Sequence, residues 1–225
     1  MWHSTDYLLA QLRWGAEGGR APVPDGVSAA TSSDAVDLDA LAALARDVAA
    51  QAQLPGGVGL RADRLAWSPD LRCAYLYFAL EHRVMLPGAG TQPLCEALRA
   101  AVPASVSVAV SRLERVFEVA GASAGEPSTA HYVVEMDPAP GWRDEIERWY
   151  DSEHMPGLAA VPGCARAQRL LNHDHGPLSL ACYDLAREAA FGSPPWLAVR
   201  ATEWSSRVRP NFTNTKRTMF RWVDV

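Results

Sequence analysis

Residues 142–163 read WRDEIERWYDSEHMPGLAAVPG, and this stretch sets the frame for the rest of the chain. Trp142, Ile146, Trp149 and Tyr150 fall at i, i+4, i+7 and i+8, a single apolar stripe at helical period. Asp144, Glu145 and Glu147 crowd the early turns, where the helix dipole favours negative charge. Pro156 and Gly157 are expected to end or kink the helix. That leaves Asp151-Ser-Glu-His154 at the broken end, a titratable ring with carboxylates beside it. A strand-like run, Cys164 to Leu171, follows at once, so helix passes straight into sheet.

Working outward from that step, a strand over His131–Asp137 precedes the helix. After Cys164–Asn172 come the turn His173-Asp-His-Gly-Pro, a strand over Leu178–Leu185, a helix over Pro195–Val208 and a strand over Thr213–Val223. The order is β-α-β-β-α-β. Residues 120–130, AGASAGEPSTA, form a small-residue linker. Upstream the same order recurs. A strand lies over 6–14 and a long loop, rich in Gly, Pro, Ala and Ser, over 15–36. A helix over Asp37–Ala52 carries Leu38, Leu41, Leu44, Ala45 and Val48 as its stripe. Strands over Val58–Trp67 and Cys73–Glu81, a helix over Gln92–Val102 and a strand over Val106–Val119 complete it.

The recurrence extends to residues. Arg61-Ala-Asp-Arg-Leu65 matches Arg166-Ala-Gln-Arg-Leu170, 105 positions on, and the same spacing lays Ala74–Leu80 on Ser179–Leu185. Leu54-Pro-Gly and Val161-Pro-Gly end the first helix of each half. The expected fold class is therefore α+β: two tandem ferredoxin-like β-α-β-β-α-β units, residues 1–119 and 131–225, forming an intrachain α+β barrel. Each unit is a four-stranded antiparallel sheet with both helices on one face. The bare faces must be buried, and two units in one chain can bury them on each other around a cavity. The long 15–36 loop marks the first half as the degenerate one.

Composition narrows the function. Of the 225 residues, 48% are hydrophobic and 21% charged, enough for a real core. The net charge of −5 with no basic block argues against nucleic acid or an anionic membrane as partner. No apolar run approaches the roughly 18 residues of a membrane span, and the start lacks signal-peptide order. The four cysteines form no C-x-x-C pair, which fits reduced, buried thiols and a cytoplasmic location.

The pattern W-x6-WY-D-x-EH-x-P-x-L-x-x-VPG-x-x-R-A-x-R, the strand SLACYDL, SPPW and an Arg- and aromatic-rich last strand resemble the dimeric α+β barrel superfamily, closest to its EthD-like branch. The resemblance is clear over 131–223 and rests on the repeat over 6–119. It implies cofactor-free work on small aromatic or polyketide-like molecules by cyclases, isomerases, lyases, dehydratases or quinone-forming monooxygenases. It also implies that the His of the E-H-x-P segment, here His154, carries the chemistry. Since relatives of this fold pair subunits to complete a barrel already complete here, a monomer or loose homodimer is expected.

His is the side chain poised near neutral pH for proton transfer. His154 is the leading catalytic candidate, with Asp151 and Glu153 near enough to orient it; the bland reading is a core or capping histidine. On the strand 131–137, Tyr132, Val134 and Met136 match helix-facing Leu8, Ala10 and Leu12. His131, Val133 and Glu135 then face the barrel interior, beside Tyr7, Leu9 and Gln11. Glu135 is the alternative base, or else the partner of Arg166 or Arg169. Trp149, Tyr150, His131, Tyr7, Tyr75 and Tyr183 are the candidate substrate contacts, with Tyr77 on the same strand as Tyr75. His173-Asp-His175 lacks a third ligand and reads as a turn, so no metal is expected. No phosphate-cradling glycine loop or G-x-S-x-G elbow is present, and no lumen-facing proximal His suggests haem. The reading is a cofactor-independent proton-transfer enzyme of cyclase, isomerase or dehydratase type. The alternatives are a cofactor-free monooxygenase or a binding protein without turnover.

Overall fold

In the computed structural model, which describes residues 1–15 and 36–225, the chain forms a closed barrel of eight antiparallel strands with helices outside it. The strands are β1 Trp2–Trp14, β2 Leu60–Ser68, β3 Cys73–Pro87, β4 Val106–Ala120, β5 Ala130–Pro138, β6 Cys164–Asn172, β7 Ser179–Leu185 and β8 Phe212–Val223. Round the barrel they run β1-β3-β2-β8-β5-β7-β6-β4. The first four strands of the sequence are neighbours in the order β4-β1-β3-β2, and the last four in the order β8-β5-β7-β6. Two seams join the halves: β2 pairs with β8 from Leu65↔Val223 to Trp67↔Arg221, and β4 with β6 from Leu113↔Asn172 to Ala120↔Arg166. Closure leaves no open sheet edge. The expected loop over residues 15–36 lies almost wholly outside the described residues.

Strand alternation sorts the side chains into three cores. Leu9, Ala66, Tyr75, Tyr77, Leu113, Val133, Leu170, Leu180, Cys182 and Phe220 form one cluster. They come from all eight strands, so they can meet only inside the barrel. Leu8, Ala10, Leu12, Leu76 and Phe78 point outward and are covered by α1 (Leu38–Gln51) and α2 (Gln92–Ala101). Tyr132, Met136, Ala181, Tyr183 and Leu185 point outward in the second half. There they meet α3 (Arg143–Trp149), α4 (Met155–Ala159), α5 (Pro194–Arg200) and α6 (Glu203–Val208).

Local chemistry explains the element ends. The Asp37 carboxylate accepts from the Ala40 N–H at 2.9 Å and caps α1. Gly56 and Gly163, in the two Pro-Gly turns, have φ of 81° and 95°, a region open to glycine without penalty. The linker is tied down: Gly121 N–H donates to Ala165 O at 2.9 Å, and a Cβ there would sit 2.1 Å from Cys164 O.

Two expectations need correction, and the repeat differs between its halves in one respect. The helix does not stop at Pro156. One wide turn of π-helix, Tyr150–His154, leads directly into α4, and Pro156 sits in its first turn, where a missing N–H is tolerated. The helix expected over Pro195–Val208 is two short ones, α5 and α6, with Thr202 capping the second through the Ser205 N–H at 3.1 Å. The matched pentapeptides do not share faces throughout. A bulge between Ala62 and Arg64 shifts β2 by one residue. Arg64 therefore points into the barrel and Leu65 outward. Their sequence counterparts do the reverse: Arg169 faces the helices and Leu170 the interior.

Candidate active site

A cavity of about 490 Å³ opens at the barrel end where β2 meets β8. That volume lies in the range of small-molecule sites. Its walls include Arg64, Arg166, Asp184, Trp222 and Ser128. Arg64 reaches the lumen because of the β2 bulge. Arg166 and Asp184 face each other across β6 and β7, and His131 is opposite Asp184 on β5.

These residues form one bonded group. Asp184 Oδ2 accepts from Arg64 Nη1 at 2.8 Å and from Arg166 Nε and Nη2 at 2.9 and 2.6 Å. Asp184 Oδ1 lies 2.7 Å from His131 Nδ1, and His131 Nε2 lies 3.0 Å from the Tyr77 hydroxyl. With Nδ1–H donated to the carboxylate, Nε2 is left to accept the Tyr77 O–H. Burial pushes the His131 pKa down, and the charges of Arg64 and Arg166 add to this against the pull of Asp184. The imidazole is neutral at physiological pH. Burial alone would raise the Asp184 carboxyl; the His131 hydrogen bond and the two guanidinium charges outweigh it and hold Asp184 ionised. The Tyr77 hydroxyl is held well above its ordinary value by burial.

Trp222 lines the cavity and contacts His131, which does not line it. The Trp222 ring centroid lies 4.3 Å from that of the imidazole, and the Arg64 guanidinium lies 4.7 Å from it. His131 itself is 0% exposed. Arg64 Nη2 is buried without a partner, as are both amide atoms of Gln168, two residues along β6 from Arg166 on the same lumen face. Such orphans are uncommon, and each leaves hydrogen-bonding capacity inside the barrel.

The remaining candidates are placed as follows. Glu135 lies in the lumen, but Gln11 Nε2 and Tyr75 O–H bond it at 3.3 and 2.8 Å; neither Arg166 nor Arg169 does. Tyr7 faces the lumen and accepts from Arg115 Nη1 at 3.4 Å. Tyr183 faces the helices instead, its hydroxyl 3.4 Å from Met155 Sδ, because odd positions of β7 point outward. His154, Trp149 and Tyr150 also lie on the helix side, around a pocket of only about 20 Å³. The His154 ring stacks on Trp149 at 4.1 Å, and its Nδ1 has no partner. The expected orienting carboxylates are engaged elsewhere. Asp151 takes Arg169 Nη2 at 3.0 Å, and Glu153 accepts from Trp149 Nε1 and the Thr202 hydroxyl. Burial, then the charges of Arg209 and Arg200, push the His154 pKa down to about 3. The structure thus brings His131 and Tyr77 together with Arg64, Arg166, Asp184 and Trp222, and leaves His154 apart.

Asp184 has a signal in the sequence: a lone carboxylate in the apolar strand SLACYDL, in phase with inward Leu180 and Cys182. The Arg64 contact has none, since the bulge reverses its face. His173-Asp-His175 is a turn held by Arg112 on Asp174 at 2.8 Å, and no metal-binding cluster occurs among the described residues. No helix among them is long and apolar enough to cross a membrane. Cys73, Cys95, Cys164 and Cys182 are free thiols.

The fold is α+β, a closed antiparallel barrel of eight strands with helices outside it, like a dimeric α-β barrel. No family model matches the chain, and no curated protein matches it in sequence. Solved structures do match. An anthrone oxidase-like protein aligns over 100% of this chain and 95% of its own, at TM-score 0.60 and 13% identity. A "putative monooxygenase" from Lactobacillus acidophilus NCFM aligns over 98% and 94%, at TM-score 0.53 and 11% identity. Another, from Fusobacterium nucleatum, aligns over 98% and 94% at TM-score 0.52 and 8% identity. At these identities the likeness is one of fold.

Proposed function

We propose that the chain is a cofactor-independent enzyme that takes a proton from a small aromatic molecule at the barrel mouth, after which dioxygen oxidises that molecule. The observation carrying this reading is the neutral His131, fixed by Asp184 and set against the Trp222 ring of a cavity walled by two guanidiniums. A phenol or anthrone-like substrate in this cavity, beside Trp222, would meet the Arg64 and Arg166 side chains, whose charges favour its anion. His131 Nε2 is the proton acceptor once Trp222 and Tyr77 give way. The carbanion then reacts with dioxygen: a CH₂ carbon loses two hydrogens and becomes a carbonyl, and the second oxygen atom leaves as water. No further reductant is needed. The same abstraction would start a cyclisation, isomerisation or dehydration. The anthrone oxidase-like neighbour weighs toward oxidation.

The test is oxygen uptake with anthrone by the purified protein, compared with His131→Asn. Uptake should fall by roughly 10²–10⁴-fold in the variant, the usual cost of losing a general base. A binding protein without turnover is the second reading, favoured by the complete burial of His131 against Trp222. Saturable anthrone binding with no oxygen uptake would select it.

We also read the barrel as two ferredoxin-like units fused in tandem, with an EthD-like second half. Support comes from the matching strand orders and from equal hairpin registers, Arg61↔Ala79 beside Arg166↔Asp184 and Ala62↔Phe78 beside Ala167↔Tyr183. Both bare faces are then used within one chain, so light scattering should give a monomer or a weak, concentration-dependent dimer. An obligate dimer would count against the fusion reading.

A further inference from the structure

Several arginines of the described residues, most of them buried or half-buried, have a carboxylate partner. Arg64 and Arg166 have Asp184, Arg112 has Asp174, Arg169 has Asp151 and Arg83 has Asp6, each at 3.0 Å or less. Arg200, Arg209 and Arg217 have no carboxylate within ion-pair distance among the described residues, yet all three wall one pocket. They arrive from separate elements: the last turn of α5, the residue after α6, and β8. Their charges repel. Burial and then Arg200 and Arg217 hold the Arg209 pKa below its ordinary value. Arg200 and Arg209 are half-buried and Arg217 is exposed, and an anion held among the three would offset their mutual repulsion.

The pocket floor is apolar and aromatic, with Trp149, Tyr150 and Trp196 among its walls. Two of its wall residues keep a buried, unpartnered nitrogen: His154 Nδ1, on a ring only 7% exposed, and Trp196 Nε1. The enclosed space is about 20 Å³, close to what one oxygen atom with its hydrogens fills. A whole aromatic molecule does not fit there, but one oxygen of a tetrahedral anion does, with its other oxygens lying across the guanidiniums. Guanidinium forks match such oxygens in geometry, and a dianion offsets three cations better than a monoanion.

We infer that Arg200, Arg209 and Arg217, with the His154 ring behind them, bind a phosphate-type oxyanion, either free phosphate or the phosphate of a small monoester. The site is separate from the barrel mouth, and its test does not depend on the proposed chemistry there. The test titrates inorganic phosphate at constant ionic strength, reading the His154 ring signals by NMR and the melting temperature. Phosphate should raise both the His154 pKa and the melting temperature in a saturable way, since it cancels the charges that depress the former and destabilise the latter. Arg209→Gln should weaken the response by about tenfold or more, as expected for a lost charge-assisted hydrogen bond. It should not lower the melting temperature without phosphate, because repulsion is removed with it. Arg217→Gln, at an exposed position, gives a second variant with intact folding. Phenyl phosphate binding more tightly than phosphate would identify a monoester as the ligand, and equal affinity would identify free phosphate. No response up to tens of millimolar, or the same response in Arg209→Gln, overturns the site.

Discussion

Two buried histidines, His131 and His154, lie on opposite faces of the second half's sheet, and their surroundings differ in kind. Around His131 every ring nitrogen has a partner, a carboxylate is fixed by two arginines, and a 490 Å³ cavity opens beside it. Around His154 the neighbours are aromatic rings, one ring nitrogen is unpaired, and the space is about 20 Å³. Residue type and sequence motif single out His154; hydrogen bonding and volume single out His131. A buried histidine becomes a proton acceptor through the groups that hold its tautomer and the space beside it. Lying in a suggestive motif does not provide either.

The comparison can be broken most severely at Asp184. Asp184→Ala strands two partly buried guanidiniums and the His131 Nδ1–H, and should cost about 3–5 kcal/mol in urea denaturation. A loss under about 1 kcal/mol would mean that the lumen group is not a coupled unit. Acid titration is the next largest effect. Unfolded histidine takes a proton below about pH 6.5, whereas native His154 does so only near pH 3. The native state binds fewer protons in that window, so stability should fall as pH drops from 6.5 toward 3, by at most about 1.4 kcal/mol per unit from this one ring. His154→Leu should flatten the slope, leaving the share due to His131, whose pKa is also lowered. An unchanged slope would show that His154 is not held neutral. The smallest effect belongs to the helix-side carboxylate. Glu153→Ala, which loses hydrogen bonds to Trp149 and Thr202, should cost about 1 kcal/mol in the same assay. A cost as large as that of Asp184→Ala would erase the contrast between the two faces.

Much of the fold is legible because its signals are local. Alternation over 6–14 and 131–137 assigns Leu9, Gln11, His131 and Glu135 to the lumen, and the repeated strand order implies two sheets with faces to bury. The site is less legible because its contacts are distant. Arg64 meets Asp184 across 120 positions, and Trp222 reaches Arg64 only through the β2–β8 seam. A single bulge at Ala62/Arg64 reverses which of two adjacent residues faces inward, and no residue type announces it. The π turn at Tyr150–His154 likewise keeps a helix going where Pro156 suggests a stop. It carries His154 onto Trp149, away from the carboxylates that neighbour it in sequence.

The barrel mouth, rather than the helix-side pocket, is the proposed site for the aromatic substrate. The most direct test follows the ring signals of both histidines by NMR while anthrone is added, under anaerobic conditions and without phosphate. The His131 signals should shift in a saturable way, an effect lost in Arg166→Gln, while those of His154 stay in place. Movement of the His154 signals with His131 unchanged would contradict the account and return the site to the helix face.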